Sequence, residues 1–298
     1  MSDSHAIKDA LGPRITMVAP AKINLFLNVV GRSSNGYHLL NSMVAFASIH
    51  DRLTVINNPT FLLELRGPFA KALESDSKQN LVETAAISLA EILGIKPNVR
   101  IILEKNLPLA AGIGGGSSDA AAIIKALIQL WDVKLDSRTL KSLALSIGAD
   151  VPMCLFGKTC FVSGIGDKVS SAPSLPHCPV LLANPGVILS TPDVFNAKLI
   201  EFSIPPNFSG GASNVRELAQ SLSGCDNDLQ NSAIFLKPQI DEVLETLDSL
   251  PGSLLSRMSG SGATCYALFE TDTLALEGAK FLKIQHPTWW ASSCILLP

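Results

Sequence analysis

Hydrophobic and polar positions alternate from Val18 onward. Ile23, Leu25, Leu27 and Val29 fall on one face of a strand, and Lys22, Asn24, Phe26 and Asn28 on the other. The run Gly31-Arg32-Ser33-Ser34-Asn35-Gly36 predicts a turn, and the apolar run from Leu39 to Ile49 a second strand. Strands are also predicted at 52–57 and 61–66. Asn80-Leu81-Val82-Glu83 has the form of a capping box and opens a helix that ends at Gly94. Val99 to Glu104, rich in β-branched residues, predicts a strand. Ala120 to Trp131 predicts a helix capped by Ser117 or Ser118, and a second helix runs from Asp136-Ser137 to Gly148. Ala149-Asp150-Val151-Pro152 follows at once. Because proline cannot continue a helix, Asp150 is expected on a tight, fixed turn.

From about residue 166 the texture changes. Pro173, Pro176 and Pro179 lead into a strand over Val180 to Ala183, and helices are predicted at 193–201, 215–222 and 238–248. Arg257-Met258-Ser259-Gly260-Ser261-Gly262-Ala263-Thr264 precedes a strand from Cys265 to Phe269, and a helix at 273–284 and a strand at 291–297 follow. The change in texture places a domain boundary near 165, giving an N-terminal domain over 15–165 and a C-terminal domain over 166–298. Residues 1–14, polar and carrying Asp3 and Asp9, read as a flexible arm without an apolar signal core.

Composition narrows the possibilities. The 298 residues are 47% hydrophobic and 16% charged, ample for two packed domains. The net charge of −3 comes without a basic stripe, which disfavours nucleic acid as a partner. No run of about 18 uninterrupted apolar residues suggests a membrane span. Six scattered cysteines, none in a C-x-x-C pair, read as buried reduced thiols of a cytoplasmic protein. The five histidines are dispersed and form no visible metal cluster.

Between the strand at 99–104 and the following helix lies Leu109-Ala110-Ala111-Gly112-Ile113-Gly114-Gly115-Gly116-Ser117-Ser118-Asp119. Four glycines and two serines over 112–118 let backbone N–H groups approach an anion closely, and the helix adds its positive end. Other phosphate and nucleophile motifs fail. The only Gly-Lys-Thr, at 157–159, has Pro152 where a Walker loop needs its first glycine. Gly112, Gly114 and Ser117 nearly match a dinucleotide fingerprint, but residues 105–111 separate them from the strand, and Asp132 and Asp136 lie at helix ends. No G-x-S-x-G elbow is present.

Pro20-Ala21-Lys22-Ile23-Asn24-Leu25, the loop 108–119 and the turn 257–264, in that order and spacing, resemble the three motifs of the GHMP kinase superfamily. Gly36-Tyr37-His38 and Gly148-Ala149-Asp150-Val151-Pro152 narrow the resemblance to the branch whose substrate carries a cytidine diphosphate group. It runs from about Ile15 to Leu297, with Ala110 and Ala111 standing where the family often has glycine.

The resemblance implies an α+β fold of two domains, the first like domain 2 of ribosomal protein S5 and the second ferredoxin-like, with the active site in the cleft between them. It implies a monomer or weak homodimer. The activity implied is transfer of the γ-phosphoryl group of ATP, with Mg²⁺, to the 2-hydroxyl of the methylerythritol moiety, a step in non-mevalonate isoprenoid synthesis. Asp150 would be the general base and would also contact substrate, with Lys22 as its electrostatic partner. Pro108, Leu109, Ala110, Ala111, Gly112, Ile113, Gly114, Gly115, Gly116, Ser117 and Ser118 would wrap ATP, and Ser118 would touch the metal. Asn80 and Lys105 are assigned to the adenosine side, although a helix cap alone explains Asn80. Asn24, Tyr37, His38, Thr191 and Phe195 are assigned to substrate. Tyr37 and Phe195 would stack on the cytosine and His38 would bond its edge.

Three other readings predict different marks. Another GHMP kinase, acting on mevalonate, homoserine or a sugar, would not need Tyr37, His38 and Phe195. A non-catalytic relative would have lost Lys22 or Asp150, and both are present. An RNA-binding module on the S5-like fold would need a basic face that the composition lacks.

Overall fold

Strand β2 (His38–Asn57) runs for twenty residues without a break. The two strands expected at 39–49 and 52–57 are therefore one. Asp51, in the middle, causes no interruption because its carboxylate accepts from the backbone N–H groups of Asn106 at 2.5 Å and Leu107 at 2.9 Å. The computed structural model describes residues 13–34, 36–75, 80–197, 201–206, 208 and 211–298. Up to residue 12, the expected N-terminal arm lies outside them.

The chain forms two compact units that interleave along the sequence. Among the described residues, one takes those within 13–20, 50–109 and 115–155, and the other those within 21–49, 110–114 and 156–298. Strands β1 (Arg14–Arg32) and β2 each contribute residues to both units.

In the first unit the second half of β2 pairs antiparallel with β4 (Val99–Glu104), from Arg52↔Glu104 to Asn57↔Val99. Strand β3 (Leu62–Arg66) pairs parallel on the other side of β4, and the short helix α1 (Ala70–Glu74) follows. Helix α2 (Leu81–Leu93) is capped by Asn80, whose side chain accepts from Val82 N–H at 2.9 Å, and ends at the left-handed Gly94. Helix α3 (Gly115–Leu130) begins earlier than the sequence suggested, so Ser117 and Ser118 lie inside its first turn and do not cap it. Helix α4 (Ser137–Ile147) has Asp136 as N-cap, and α5 (Val151–Phe156) starts three residues after Gly148. Pro152 thus opens a helix instead of preventing one. In the first turn its missing N–H costs nothing.

In the second unit the first half of β2 pairs with β5 (Cys160–Gly164), which forms a hairpin with β6 (Lys168–Ser171). The remainder is a four-stranded antiparallel sheet of β7 (Cys178–Asn184), β8 (Ser253–Met258), β9 (Cys265–Phe269) and β10 (Trp290–Leu296), in the order β10-β7-β9-β8. Helices α6 (Thr191–Ala197), α7 (Val215–Leu222), α8 (Gln230–Leu236) and α9 (Gln239–Ser249) connect β7 to β8, and α10 (Asp272–Gln285) connects β9 to β10. This βαββαβ order is the expected ferredoxin-like arrangement. The helix expected at 193–201 begins at Thr191, and residues 198–200 lie outside the described ones. A core of Leu181, Ala183, Val243, Leu247, Ala267, Phe269 and Leu282 fills the space between sheet and helices.

The polar face of β1 is not a solvent face. Lys22, Asn24 and Asn28 are as buried as the Ile23, Leu25 and Val29 that alternate with them. Polar groups in such a place must find partners.

Candidate active site

Three separated segments meet within the second unit. The backbone N–H of Lys22 donates to Ile113 O at 2.8 Å, and Thr264 N–H donates to Ala111 O at 3.1 Å. Ser259 Oγ accepts from Asn24 N–H at 3.1 Å and donates to Gly112 O at 3.3 Å. A Cβ on Gly112, where φ is +74°, would stand 2.5 Å from Gly262 O and 2.7 Å from Ser259 O. Only glycine fits so close a crossing of loop and turn. Asn227 Nδ2 braces the turn by donating to Met258 O and Gly260 O, each at 2.8 Å. The Arg257 guanidinium is buried and spent on the carbonyls of Leu25, Leu222 and Cys225.

Lys22 is 4% exposed. Its ammonium donates to Asn24 Oδ1 at 2.9 Å, and Asn24 Nδ2 donates to Ser42 Oγ at 2.8 Å. The Asn24 amide, assigned to substrate from the sequence, is therefore engaged with Lys22 and Ser42 on both sides.

In the first unit, helix α3 opens with Gly115-Gly116-Ser117, whose N–H groups have no helical carbonyl one turn earlier. Anions settle at such ends. Gly116 faces Leu81, the first residue of α2, whose Cδ1 would be 3.5 Å from an added Cβ. The Lys105 ammonium, assigned to the nucleotide from the sequence, lies 1% exposed in a triad with Asp51 and with Asp119, the latter at 2.7 Å. Burial works against its charge, but the two carboxylates outweigh burial and hold its pKa above the ordinary lysine value. Burial pushes the Asp119 carboxyl up to about 7, Lys105 opposing and Asp51 reinforcing that shift. With Asp51 also holding the N–H groups of Asn106 and Leu107, the triad fastens both ends of the glycine loop. A Cβ on Gly115 would stand 3.5 Å from Lys105 Nζ.

Asp150 is half-buried just ahead of α5, where its carbonyl accepts from Cys154 N–H at 3.2 Å while Val151 N–H donates to Gly148 O at 3.1 Å. Those bonds fix the backbone that carries the carboxylate.

The aromatic set belongs to the second unit. The rings of His38 and Phe195 are stacked, with centroids 5.0 Å apart and planes at 27°. Tyr37 beside them is 62% exposed. Thr191, on the same helix as Phe195, shares a 2.8 Å hydrogen bond with Ser261 of the serine-glycine turn.

Among the described residues, no three His, Cys, Asp or Glu side chains form a metal cage. Mg²⁺ bound through nucleotide phosphates needs few protein oxygens, and the buried Ser118 hydroxyl in the first turn of α3 is a donor of the right hardness. No disulfide joins the six cysteines, and burial raises the thiol pKa of Cys160, Cys178, Cys265 and Cys294 well above the ordinary value. No helix of the described residues is long and apolar enough to cross a membrane.

Residues 80–158 match the model of the GHMP kinases N terminal domain, and residues 209–287 that of the GHMP kinases C terminal domain. The 4-diphosphocytidyl-2-C-methyl-D-erythritol kinase of Rhodospirillum rubrum is 45% identical over 275 residues, covering 92% of this chain and 90% of that protein. The chain belongs to the GHMP kinases. The kinase of the same name from Paramagnetospirillum magneticum is 44% identical over 94% of this chain and 97% of its own. A crystal structure of 4-(cytidine 5'-diphospho)-2C-methyl-D-erythritol kinase superposes with a TM-score of 0.79 at 32% identity, covering 95% of this GHMP kinase and all of that chain, 100%. A homoserine kinase from Cytophaga hutchinsonii, at 19% identity and a TM-score of 0.70 over 95% of each chain, shares the fold.

Sequence reading missed Ser42, Asp51, Asp119 and Asn227 as parts of this framework. Ser42 follows Asn41 and Asp51 stands between His50 and Arg52, so nothing in local spacing tells which polar residue of these short runs is buried and must find a partner.

Proposed function

We propose that this GHMP kinase transfers the γ-phosphoryl group of ATP to the 2-hydroxyl of 4-diphosphocytidyl-2-C-methyl-D-erythritol, a step in non-mevalonate isoprenoid synthesis. Relatives 40–45% identical over at least 90% of the chain carry the name of that activity. The observation that carries the substrate assignment is the His38–Phe195 stack beside exposed Tyr37, on a helix tied to the serine-glycine turn through Thr191 and Ser261. A phosphorylated acceptor without an aromatic base would have no use for those rings.

In this reading the Asp150 carboxylate accepts the proton of the 2-hydroxyl as its oxygen forms a bond to the γ-phosphorus and the bond to the β,γ-bridging oxygen breaks. The Lys22 ammonium offsets charge on the transferring group. Backbone N–H groups of the glycine loop and the first turn of α3 hold the phosphate tail, with Asn80 near the adenosine. When bound, Mg²⁺ would offset phosphate charge, with Ser118 holding it. His38 bonds the edge of the cytosine, and Tyr37 and Phe195 provide stacking surface.

The test is a panel of acceptors with ATP, followed by ADP release. Turnover is expected with 4-diphosphocytidyl-2-C-methyl-D-erythritol and not with mevalonate or homoserine. Preference for either of the latter overturns the assignment.

A further inference from the structure

Ser42 lies on β2, 2% exposed, with no place in the motifs that define the site. Its hydroxyl donates to Phe26 O at 2.5 Å and accepts from Asn24 Nδ2 at 2.8 Å. A hydroxyl has one proton to give. With that proton committed to a backbone carbonyl, Ser42 can only accept from Asn24. The amide must therefore turn its NH₂ end toward Ser42 and its oxygen toward Lys22, where Nζ donates at 2.9 Å. An ammonium has donors only. The opposite amide orientation would set NH₂ against NH₃⁺ and one lone pair against another, inside a region where Lys22, Asn24 and Ser42 are all at least nine-tenths buried.

We propose that Ser42 is a positioning residue for phosphoryl transfer. Its hydroxyl fixes the direction of the Asn24 amide, and the amide fixes the place of the Lys22 ammonium. The chain of bonds starts at a backbone carbonyl of β1, so its polarity is built into the strand and does not depend on bound ligand. The inference rests on the role given to Lys22 above. It predicts that Ser42 acts on the rate of the chemical step and not on the binding of either substrate.

The experiment compares Ser42→Ala, Ser42→Thr, Ser42→Cys and Lys22→Met, with the Ser42→Ala/Lys22→Met pair, in steady-state assays with both substrates. Ser42→Ala should lower kcat about tenfold or more with both KM values within about twofold, and Ser42→Thr, which keeps the hydroxyl, should stay within about twofold of the parent. In the Lys22→Met background, adding Ser42→Ala should cost less than about twofold, because the residue it orients is gone. If Ser42→Ala does not fold, Ser42→Cys keeps the volume but accepts poorly and should show the same loss of kcat. Normal kcat in a folded Ala or Cys variant, a loss equal in Ser42→Thr, or a full additional loss in the double variant overturns the proposal. A normal kcat in Lys22→Met instead overturns the role of Lys22 itself, so the two failures are distinguishable.

Discussion

His38 rests face to face on Phe195, their centroids 5.0 Å apart. A base inserted between two rings needs them about 7 Å apart, two van der Waals layers, so in this arrangement a cytosine cannot enter between these two. Stacking would fall to Tyr37 and an outer face of the pair. Tyr37→Ala is expected to raise KM for the cytidine substrate while leaving KM for ATP nearly unchanged, and His38→Ala to narrow the preference for cytidine over uridine analogues. Equal rises in both KM values for Tyr37→Ala would make that residue structural.

Asp150→Asn keeps the shape of the side chain and removes its ability to take a proton. Turnover should fall by about 10²–10⁴ with little change in nucleotide affinity. Near-normal turnover in this variant would refute the base assignment.

Gly112→Ala places a methyl group 2.5 Å from Gly262 O at a positive φ of +74°. Both strain and overlap act, so a loss of roughly 2–4 kcal/mol is expected in denaturant unfolding. Gly224→Ala is the control, since nothing stands within 4 Å of its added Cβ, and it should stay within about 1 kcal/mol.

Ala110 adopts φ +48° at the entry of the loop. A non-glycine residue in the left-handed region costs about 1–2 kcal/mol. Ala110→Gly relieves that cost but adds chain entropy to the unfolded state. The expected net result is a stability change under about 1 kcal/mol, in the stabilising direction, by thermal or denaturant unfolding.

The Asp119 carboxyl is raised from its ordinary 3.8 to about 7 by burial. The folded chain therefore holds this proton more tightly than the unfolded chain does. The stability it contributes is complete below the ordinary value and is lost as pH rises toward about 7. Asp119→Asn removes this dependence, so Tm of the variant minus Tm of the parent should increase between about pH 4 and about pH 7 and level off above it. A flat difference across that range would contradict the shift.

Much of this architecture was legible because its signals are local. Asn80 and Gly94 bracket their helix, Asp136 and Gly148 bracket another, and Val99–Glu104 emerges as written. What escaped depended on distant groups. Helix α3 starts at Gly115 despite the poor helical propensity of glycine, in a place where Lys105, Asp51 and Asp119 hold the backbone. Strand β8 escaped because four of its six residues are only half-buried, leaving weak alternation. For the site, the motifs located Lys22, the glycine loop and the serine-glycine turn, and these segments do meet. The motifs could not indicate that Asn24 and Lys105 spend their polar groups on neighbours inside the protein, because hydrogen-bond partners 18 or 54 positions away leave no mark on local spacing.

Strand β10 follows every other strand in the chain yet lies inside the sheet, against β7 along its length and against β2 at Leu296↔Ala47. Beside that pair, Ile295 N–H reaches Ser48 Oγ at 3.2 Å across 247 positions. Contacts of such separation slow folding, because chain closure comes before its reward. During synthesis the ribosome releases β7 and β2 long before the partner that covers their edges, and an uncovered edge invites pairing with other chains. Production of this enzyme should therefore respond to chaperone supply and growth temperature more than its finished stability would suggest.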